Sequence, residues 1–376
     1  MKITDVKVKH LRVPQKSRSA APDVVLVGVE TDEGITGIGE ACALSEKGEA
    51  ALAVKDVVEV GLRPYLVGEN PLEIGRIWEK LYGYSEWYGR RGIAIYALSC
   101  LDVALWDITG KALDVPISIL LGGRFREKIK VYASILFDME NFDATVDNAK
   151  SEVRKGYTAI KFGWGQTQET SFGLDADKDE AIVRTLREQL GDKVDIMVDV
   201  GRFVNWSIGY AIKMARRLSK YNVFWLEEPL PQEDPDAYAE LTRASDVYIA
   251  AGEGEYTRYG FRDWITKRAV DILQPDVTKA GGLTEARRIA DLCQLWNIMM
   301  VPHGFSSAIN VAANLQLVAS MPNAFLLEFR KTPSPLISRL IKKPFEAEDG
   351  YLKIPDGPGL GIELNESTVE ECTVKV

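Results

Sequence analysis

Seven ionisable residues recur between residues 161 and 328, each at or just beyond the end of a short apolar run. They are Lys161 in TAIKFGW, Asp199 in VDIMVDV, Glu227 in NVFWLEE, Glu253 in VYIAAGE, Asp276 in VDILQPD, His303 in IMMVPHG and Glu328 in NAFLLEF. The gaps between them are 38, 28, 26, 23, 27 and 25 residues, so all but the first match about one strand-plus-helix unit. A single acid at a strand end reads as the N-cap of the next helix. Seven in register after buried runs read as one site, because parallel strands bring their C-terminal ends to a common mouth. Asp199, Glu227 and Glu253 would repel one another there unless a cation or proton uptake compensates them. An all-oxygen donor set without Cys or His favours one Mg²⁺, its coordination completed by water and substrate. Alternation then points Glu228 the other way, toward a structural partner or a helix cap. His303 is one of only two histidines. With Asp276 one strand earlier, it reads as a positioned general base, the carboxylate holding one imidazole nitrogen and directing the other to substrate. His10, in an alternating segment near the N-terminus, reads as surface or structural.

The elements that must position these residues follow from the same runs. KVYASIL from Lys130 precedes the seven, giving eight strand candidates separated mostly by amphipathic stretches. That pattern implies parallel βα units, and eight is the number that closes a barrel. The first 125 residues differ. MKITDVKVKHLRV and DVVLVGVETDEGITGIGEA alternate as strands around a DEG turn, and helical periodicity runs from about Pro71 to Leu113 before Pro116 and LLGG break it. With 376 residues, 46% of them apolar, the chain can bury a large core. A net charge of −9 argues against nucleic acid or an anionic membrane as partner. No apolar run approaches a membrane span, and the N-terminus lacks the apolar core of a signal peptide. Cys42, Cys100, Cys293 and Cys372 form no CxxC pair and read as free buried thiols, which places the chain in a reducing cytoplasm.

The order of the segments resembles the enolase superfamily, and within it the mandelate racemase-like group. The resemblance rests on GIGEA, CLDVALWDITGKALDVPISILLGG, IMVDV, WLEEP, AAGE, LQPDVTKAGGLTEARRIADLC, VPHG and GYLKIPDGPGLGIEL, and covers nearly the whole chain. It implies an α/β fold: a modified TIM barrel, (β/α)7β, over residues 126–340, under an α+β capping domain of residues 1–125 to which residues 341–376 return. It implies Asp199, Glu227 and Glu253 (rather than Glu255) as Mg²⁺ ligands, Asp276 and His303 as the base dyad, and Glu328, protonated where it donates, as a hydrogen-bonding partner of the substrate. Asp276 stands on the sixth strand where muconate-lactonising relatives carry a lysine. It also implies a small carboxylate substrate and a homo-oligomer.

Two positions depart from the racemase pattern. Lys161 matches the first lysine of Lys-x-Lys on the second strand, but Gly163 stands in place of the second, and Asp199-Val200-Gly201 replaces Asp-x-Asn. Glycine cannot move a proton, so delivery from the opposite face loses its donor. The expected chemistry is α-proton abstraction to an enediolate stabilised by Mg²⁺, Lys161 and Glu328, then loss of a β-hydroxyl: dehydration of a sugar acid to a 2-keto-3-deoxy acid. The Gly-Arg-Phe run at Gly201–Phe203 is similar to that of some sugar-acid dehydratases. A racemase or epimerase, and a non-catalytic binder of metal and acid, are the alternatives. Lys16, Arg18, Trp164 and Arg202 are candidate substrate contacts, with cap loops at Gln15–Asp23 and Ala43–Gly48. GQTQETSFGLDADKD lengthens the connection after Lys161.

Overall fold

The computed structural model describes residues 1–13, 23–45, 47–165, 167–201 and 204–375. The N-terminal strands β1 (Ile3–Leu11), β2 (Asp23–Thr31) and β3 (Thr36–Ala43) form an antiparallel meander in that order. The helix Ile93–Ala112 lies across it. GIGE is what lets them meet, since a Cβ on Gly37 or Gly39 would overlap the carbonyl oxygens of Ala104 and Cys100 on that helix. This helix corrects one expectation. It is long and apolar enough to cross a membrane by length and composition, yet most of it is buried inside the protein. It is a core helix, and Asp102 and Asp107 within it are satisfied by Thr284 and Lys111. The sequence reading also assigned no element between residues 49 and 66. Helix Glu49–Asp56, a π-helical stretch Val57–Leu62 and a turn Arg63–Leu66 run through it, burying Ala51, Val54, Val58, Leu62 and Leu66. Its valines favour strands locally; packing against the sheet decides otherwise.

All eight expected parallel strands are present: β4 (Lys128–Leu136), β5 (Ala159–Gly163), β6 (Asp195–Asp199), β7 (Val223–Glu227), β8 (Tyr248–Ala251), β9 (Ile272–Leu273), β10 (Met299–Met300) and β11 (Leu326–Arg330). They pair in the order β10-β9-β8-β7-β6-β5-β4-β11. The ladder does not continue from β11 to β10, where a bond from the Met300 N–H to the Asn323 carbonyl, 3.1 Å, joins the two edges. Among the described residues, seven helices of ten or more residues separate the strands, and only the short helices Pro335–Ser338 and Glu366–Cys372 follow β11. The architecture is therefore (β/α)7β, a curled TIM-like sheet with a cap. Strand β12 (Tyr351–Lys353) runs antiparallel to β4, and the chain then returns to β1, where the Val374 N–H bonds the His10 carbonyl at 2.8 Å. All four cysteines are free and buried.

The cap docks where the sequence reads KAGGLTE. The Gly281 carbonyl accepts from the Trp78 indole at 2.8 Å, the Gly281 N–H donates to Ser99 at 2.9 Å, and the Thr284 N–H donates to Asp102 at 2.9 Å. Gly282 has φ +82°, and a Cβ there would run into the Asp102 carboxylate. Gly282→Ala is therefore expected to lower stability by about 1–3 kcal/mol, read as a shifted urea midpoint at unchanged slope. A second tie joins Glu40 of β3 to the backbone N–H and hydroxyl of Ser307. Burial pushes the Glu40 carboxyl up to about 7 against an ordinary 4.5. The folded state thus holds a proton that the unfolded chain releases, and stability falls as pH rises from about 4.5 to about 7. Glu40→Gln should remove that slope, gaining on the parent by up to about 3 kcal/mol across the window when unfolding is measured at each pH. Parallel profiles for the two proteins would show that Glu40 is ionised throughout.

Candidate active site

One apolar layer fills the barrel interior, with Ala159, Met197, Trp225, Val301 and Leu326 among its members. Side chains alternate along a strand, so the residue two positions on faces the same way. Those residues are Lys161, Asp199, Glu227, His303 and Glu328. Glu253 and Asp276 follow β8 and β9 in the turns that leave the strands. None of the seven caps the next helix. The caps are Asp175, Ser207, Asp234, Tyr256, Gly281, Ser307 and Ser334. The acids at the strand ends are thus free of the ordinary structural task that could have explained them.

They fall into two linked groups. In the first, the Lys161 ammonium lies 2.6 Å from Glu227, 3.3 Å from Glu328 and 3.6 Å from Asp199. Burial works against the charge on Lys161, but Glu227 and Glu328 outweigh it and raise its pKa well above the ordinary value. Asp199 is pushed well up by burial and by the charge of Glu227, its register partner across β6 and β7. Glu227 is also raised, burial outweighing Lys161, and its second oxygen accepts from the Trp225 indole at 2.9 Å. In the second group, His303 Nδ1 lies 2.6 Å from Asp276, while Nε2 faces Glu253 at 3.1 Å and Glu328 at 3.9 Å. Asp276 is fixed by the Thr278 N–H at 2.7 Å and hydroxyl at 2.6 Å, and by the Asn310 amide at 3.3 Å. Despite full burial, Lys279 and His303 hold Asp276 below the usual carboxylate range. Burial lowers the His303 pKa, but Glu253, Asp276 and Glu328 together outweigh it and the net shift is upward.

Glu328 differs from expectation. It accepts the Gly304 N–H at 2.8 Å, and although burial disfavours its charge, Lys161 and His303 hold its pKa below the ordinary value. It is an ionised acceptor rather than a protonated donor. Glu228 turns away, with φ +44°, and accepts from Gln232 at 2.6 Å, the structural partner that alternation implied. Glu255 takes Arg91 of the cap at 3.1 Å, while Glu253 faces His303. His10 is structural, bonding Asp23 at 2.9 Å. A Cβ on Gly163 would stand 3.9 Å from Asp199 Oδ2, so that position does look into the site. Trp164 is half-buried, and a Cβ on Gly201 (φ +69°) would meet its ring. Lys16, Arg18 and Arg202 lie outside the described residues.

Two cations were missed in the sequence. Lys279, buried, stands 3.7 Å from Asp276. It lies in the turn PDVTKAGG, where no periodicity predicts direction. Arg330 lies two residues beyond Glu328 on β11, so strand alternation could have placed it on the same inward face.

Among the described residues, no three His, Cys, Asp or Glu side chains are grouped so as to hold a metal ion. Lys161 lies against Asp199 and Glu227, while Glu253 turns to His303. The chemistry of the donor set nevertheless fits a hard divalent cation. Asp199 and Glu227 are buried neighbours whose raised pKa values report a shortage of positive charge.

Two family signatures cover most of the chain: the mandelate racemase/muconate lactonizing enzyme N-terminal domain over residues 2–122, and the enolase C-terminal domain-like fold over residues 144–368. The chain belongs to the mandelate racemase-like branch of the enolase superfamily. Its relatives include a D-galactarolactone cycloisomerase of Agrobacterium fabrum, 35% identical over 99% of this chain and 98% of that one. A D-xylonate dehydratase of Haloferax volcanii is 34% identical over 93% of this chain and 85% of that one. The crystal structure of a 3,6-anhydro-D-galactonate cycloisomerase from Zobellia galactanivorans aligns over 100% of both chains at 30% identity, with a TM-score of 0.89. The relatives are lyases and cycloisomerases acting on sugar acids, and this chain is an enzyme of that kind.

Lys161→Met should leave Glu227 and Glu328 without their ammonium. The expected cost is about 3–5 kcal/mol in urea unfolding at neutral pH with chelator present. An unchanged midpoint would show that these acids are held by something other than Lys161.

Proposed function

We propose that this enzyme removes the proton α to the carboxylate of a sugar acid and expels the oxygen on the β-carbon, dehydrating the acid to a 2-keto-3-deoxy product. The observation that carries the reading is the His303–Asp276 pair. A 2.6 Å contact at Nδ1 fixes the ring, so that Nε2 faces the carboxylate-lined centre of the mouth. Asp199, Glu227 and Glu253 would hold one Mg²⁺, which when bound supplies positive charge against the substrate carboxylate. In the chain's own chemistry, His303 Nε2 takes the α-proton and the C–H electrons move toward the carboxylate. Lys161 stabilises the enediolate charge that develops. The electrons then form the Cα–Cβ double bond as the β-oxygen leaves, and the imidazolium returns its proton to that oxygen. The enol so formed tautomerises to the ketone. One base serves both transfers, which suits a site with Gly163 where a second would stand. Residues 1–125 would act as the cap, 126–340 as the barrel and 341–376 as the segment returning to the cap, in a cytoplasmic homo-oligomer.

The two cycloisomerases among the relatives favour a second reading of the same step. Where the β-oxygen belongs to a ring of the substrate, its expulsion opens the ring and no water is lost. Proton NMR in D₂O with Mg²⁺ over aldonic, uronic and aldaric acids and their lactones tests both. A new 3-deoxy signal from an open acid marks dehydration, and the same signal from a lactone alone marks cycloisomerisation. Exchange of the α-proton with the skeleton retained would replace both with epimerisation. His303→Asn should abolish turnover by at least about 100-fold while leaving Mg²⁺ binding intact, and turnover surviving in that variant would overturn the assignment of the base.

A further inference from the structure

Among the described residues, Arg330 is a strongly basic group at the mouth that the reaction above does not use; Lys279, also unused, already faces Asp276. It ends β11, pointing inward one layer beyond Glu328, about 7 Å further along the strand. It is 3% exposed, and Nε, Nη1 and Nη2 all lack a hydrogen-bond partner. A buried guanidinium with no acceptor is costly, and a native fold rarely retains one without cause. Its flat face is accounted for: the guanidinium carbon stands 4.0 Å from the centroid of the Phe305 ring, two residues past His303. Stacking of that kind uses the face and leaves the N–H groups, which point outward in the plane, open. Burial lowers its pKa to about 10, far enough above neutrality that the charge persists. The cap closes over this place, with the Cys42 thiol at the end of β3 lying 3.9 Å from the Phe305 carbonyl.

The open edge of a guanidinium matches a carboxylate, two parallel N–H donors meeting two oxygens. The α-carboxylate of the substrate would lie beside Lys161 and the three acids, in the layer of Glu328, one layer below Arg330. We propose that Arg330 binds a second carboxylate at the far end of the substrate, which makes the preferred substrate a sugar diacid, or its lactone, rather than a monoacid. The assignment rests on the catalytic reading above for the position of the first carboxylate. A phosphate ester is disfavoured, because a single guanidinium would face a dianion in a mouth already rich in carboxylates.

Galactarate and D-galactonate differ only in whether C6 is a carboxylate, so this pair isolates the proposal. The parent enzyme with Mg²⁺ is expected to prefer galactarate in kcat/KM. Arg330→Met, which retains bulk beside Phe305, should reduce the ratio of the two kcat/KM values by at least about 30-fold. Because Met removes an unsatisfied buried cation, the ligand-free variant should melt at the parent's temperature or above it. Binding of the same two acids to His303→Asn protein, measured by calorimetry with Mg²⁺, separates the two readings. Absence of turnover would defeat the catalytic one, while a diacid preference that Arg330→Met abolishes would still support Arg330. Equal binding of the two acids, an unchanged ratio in Arg330→Met, or a lower melting temperature with an unchanged ratio would overturn it.

Discussion

An excess of buried negative charge at the barrel mouth is the constraint on which the rest of the structure depends. Asp199, Glu227, Glu253, Asp276 and Glu328 open into one space, against the ammonium groups of Lys161 and Lys279 and the ring of His303. Five carboxylates at low dielectric cannot all remain ionised on so few fixed cations. The pKa directions show how the protein divides the shortfall. Asp276 and Glu328, each beside a lysine and His303, are held below their ordinary values, while Asp199 and Glu227 are raised by burial. The unsatisfied demand for positive charge is thus concentrated on the β6–β7 side, and the His303–Asp276 pair stands on the β9–β10 side. In the proposed reaction a substrate lying between them would meet electrostatic stabilisation at one end and a base at the other.

That arrangement has to be held against its own repulsion, and the cap shares in the holding. Its long helix is seated on β3 by close backbone contacts at Gly37 and Gly39, and the same helix satisfies the Gly281–Thr284 turn that follows Asp276 and Lys279. Glu40 reaches Ser307, four residues after His303. The two turns that carry Asp276 and His303 are therefore both tied to the cap. Strands alone would fix β9 and β10 poorly, since each is only two residues long by its ladder bonds. The cap supplies the rigidity that these short strands lack.

This division explains what could be read from the chain beforehand. The eight barrel strands and six of the seven strand-end residues follow from apolar runs with acidic or basic ends, because period-two alternation and parallel register are local facts repeated eight times. His303 stood out by rarity. Direction within turns is not local, which is why Lys279 was not legible. The ionised state of Glu328 was hidden for another reason. It depends on Lys161 from β5 and the Gly304 N–H from beyond β10, which meet only once the sheet has curled. The helical stretch from Glu49 to Leu66 was obscured by valines whose local preference is overridden by burial against β1–β3.

The asymmetry of the site also bears on which reaction it suits. Racemisation needs acid–base groups of matched strength on both faces of the α-carbon. Here one face has His303, backed by Asp276, Thr278 and Asn310. The other has Lys161, whose ammonium is bound to Glu227 and raised far from a neutral amine, and Gly163, which offers nothing. A lysine held in that state stabilises negative charge well and accepts a proton poorly. The proposed elimination would use that combination: one reversible base, a fixed cation for the developing enediolate, and a leaving oxygen within reach of the imidazolium. The same charges that make the mouth unstable without a counter-ion are those that distinguish its two faces.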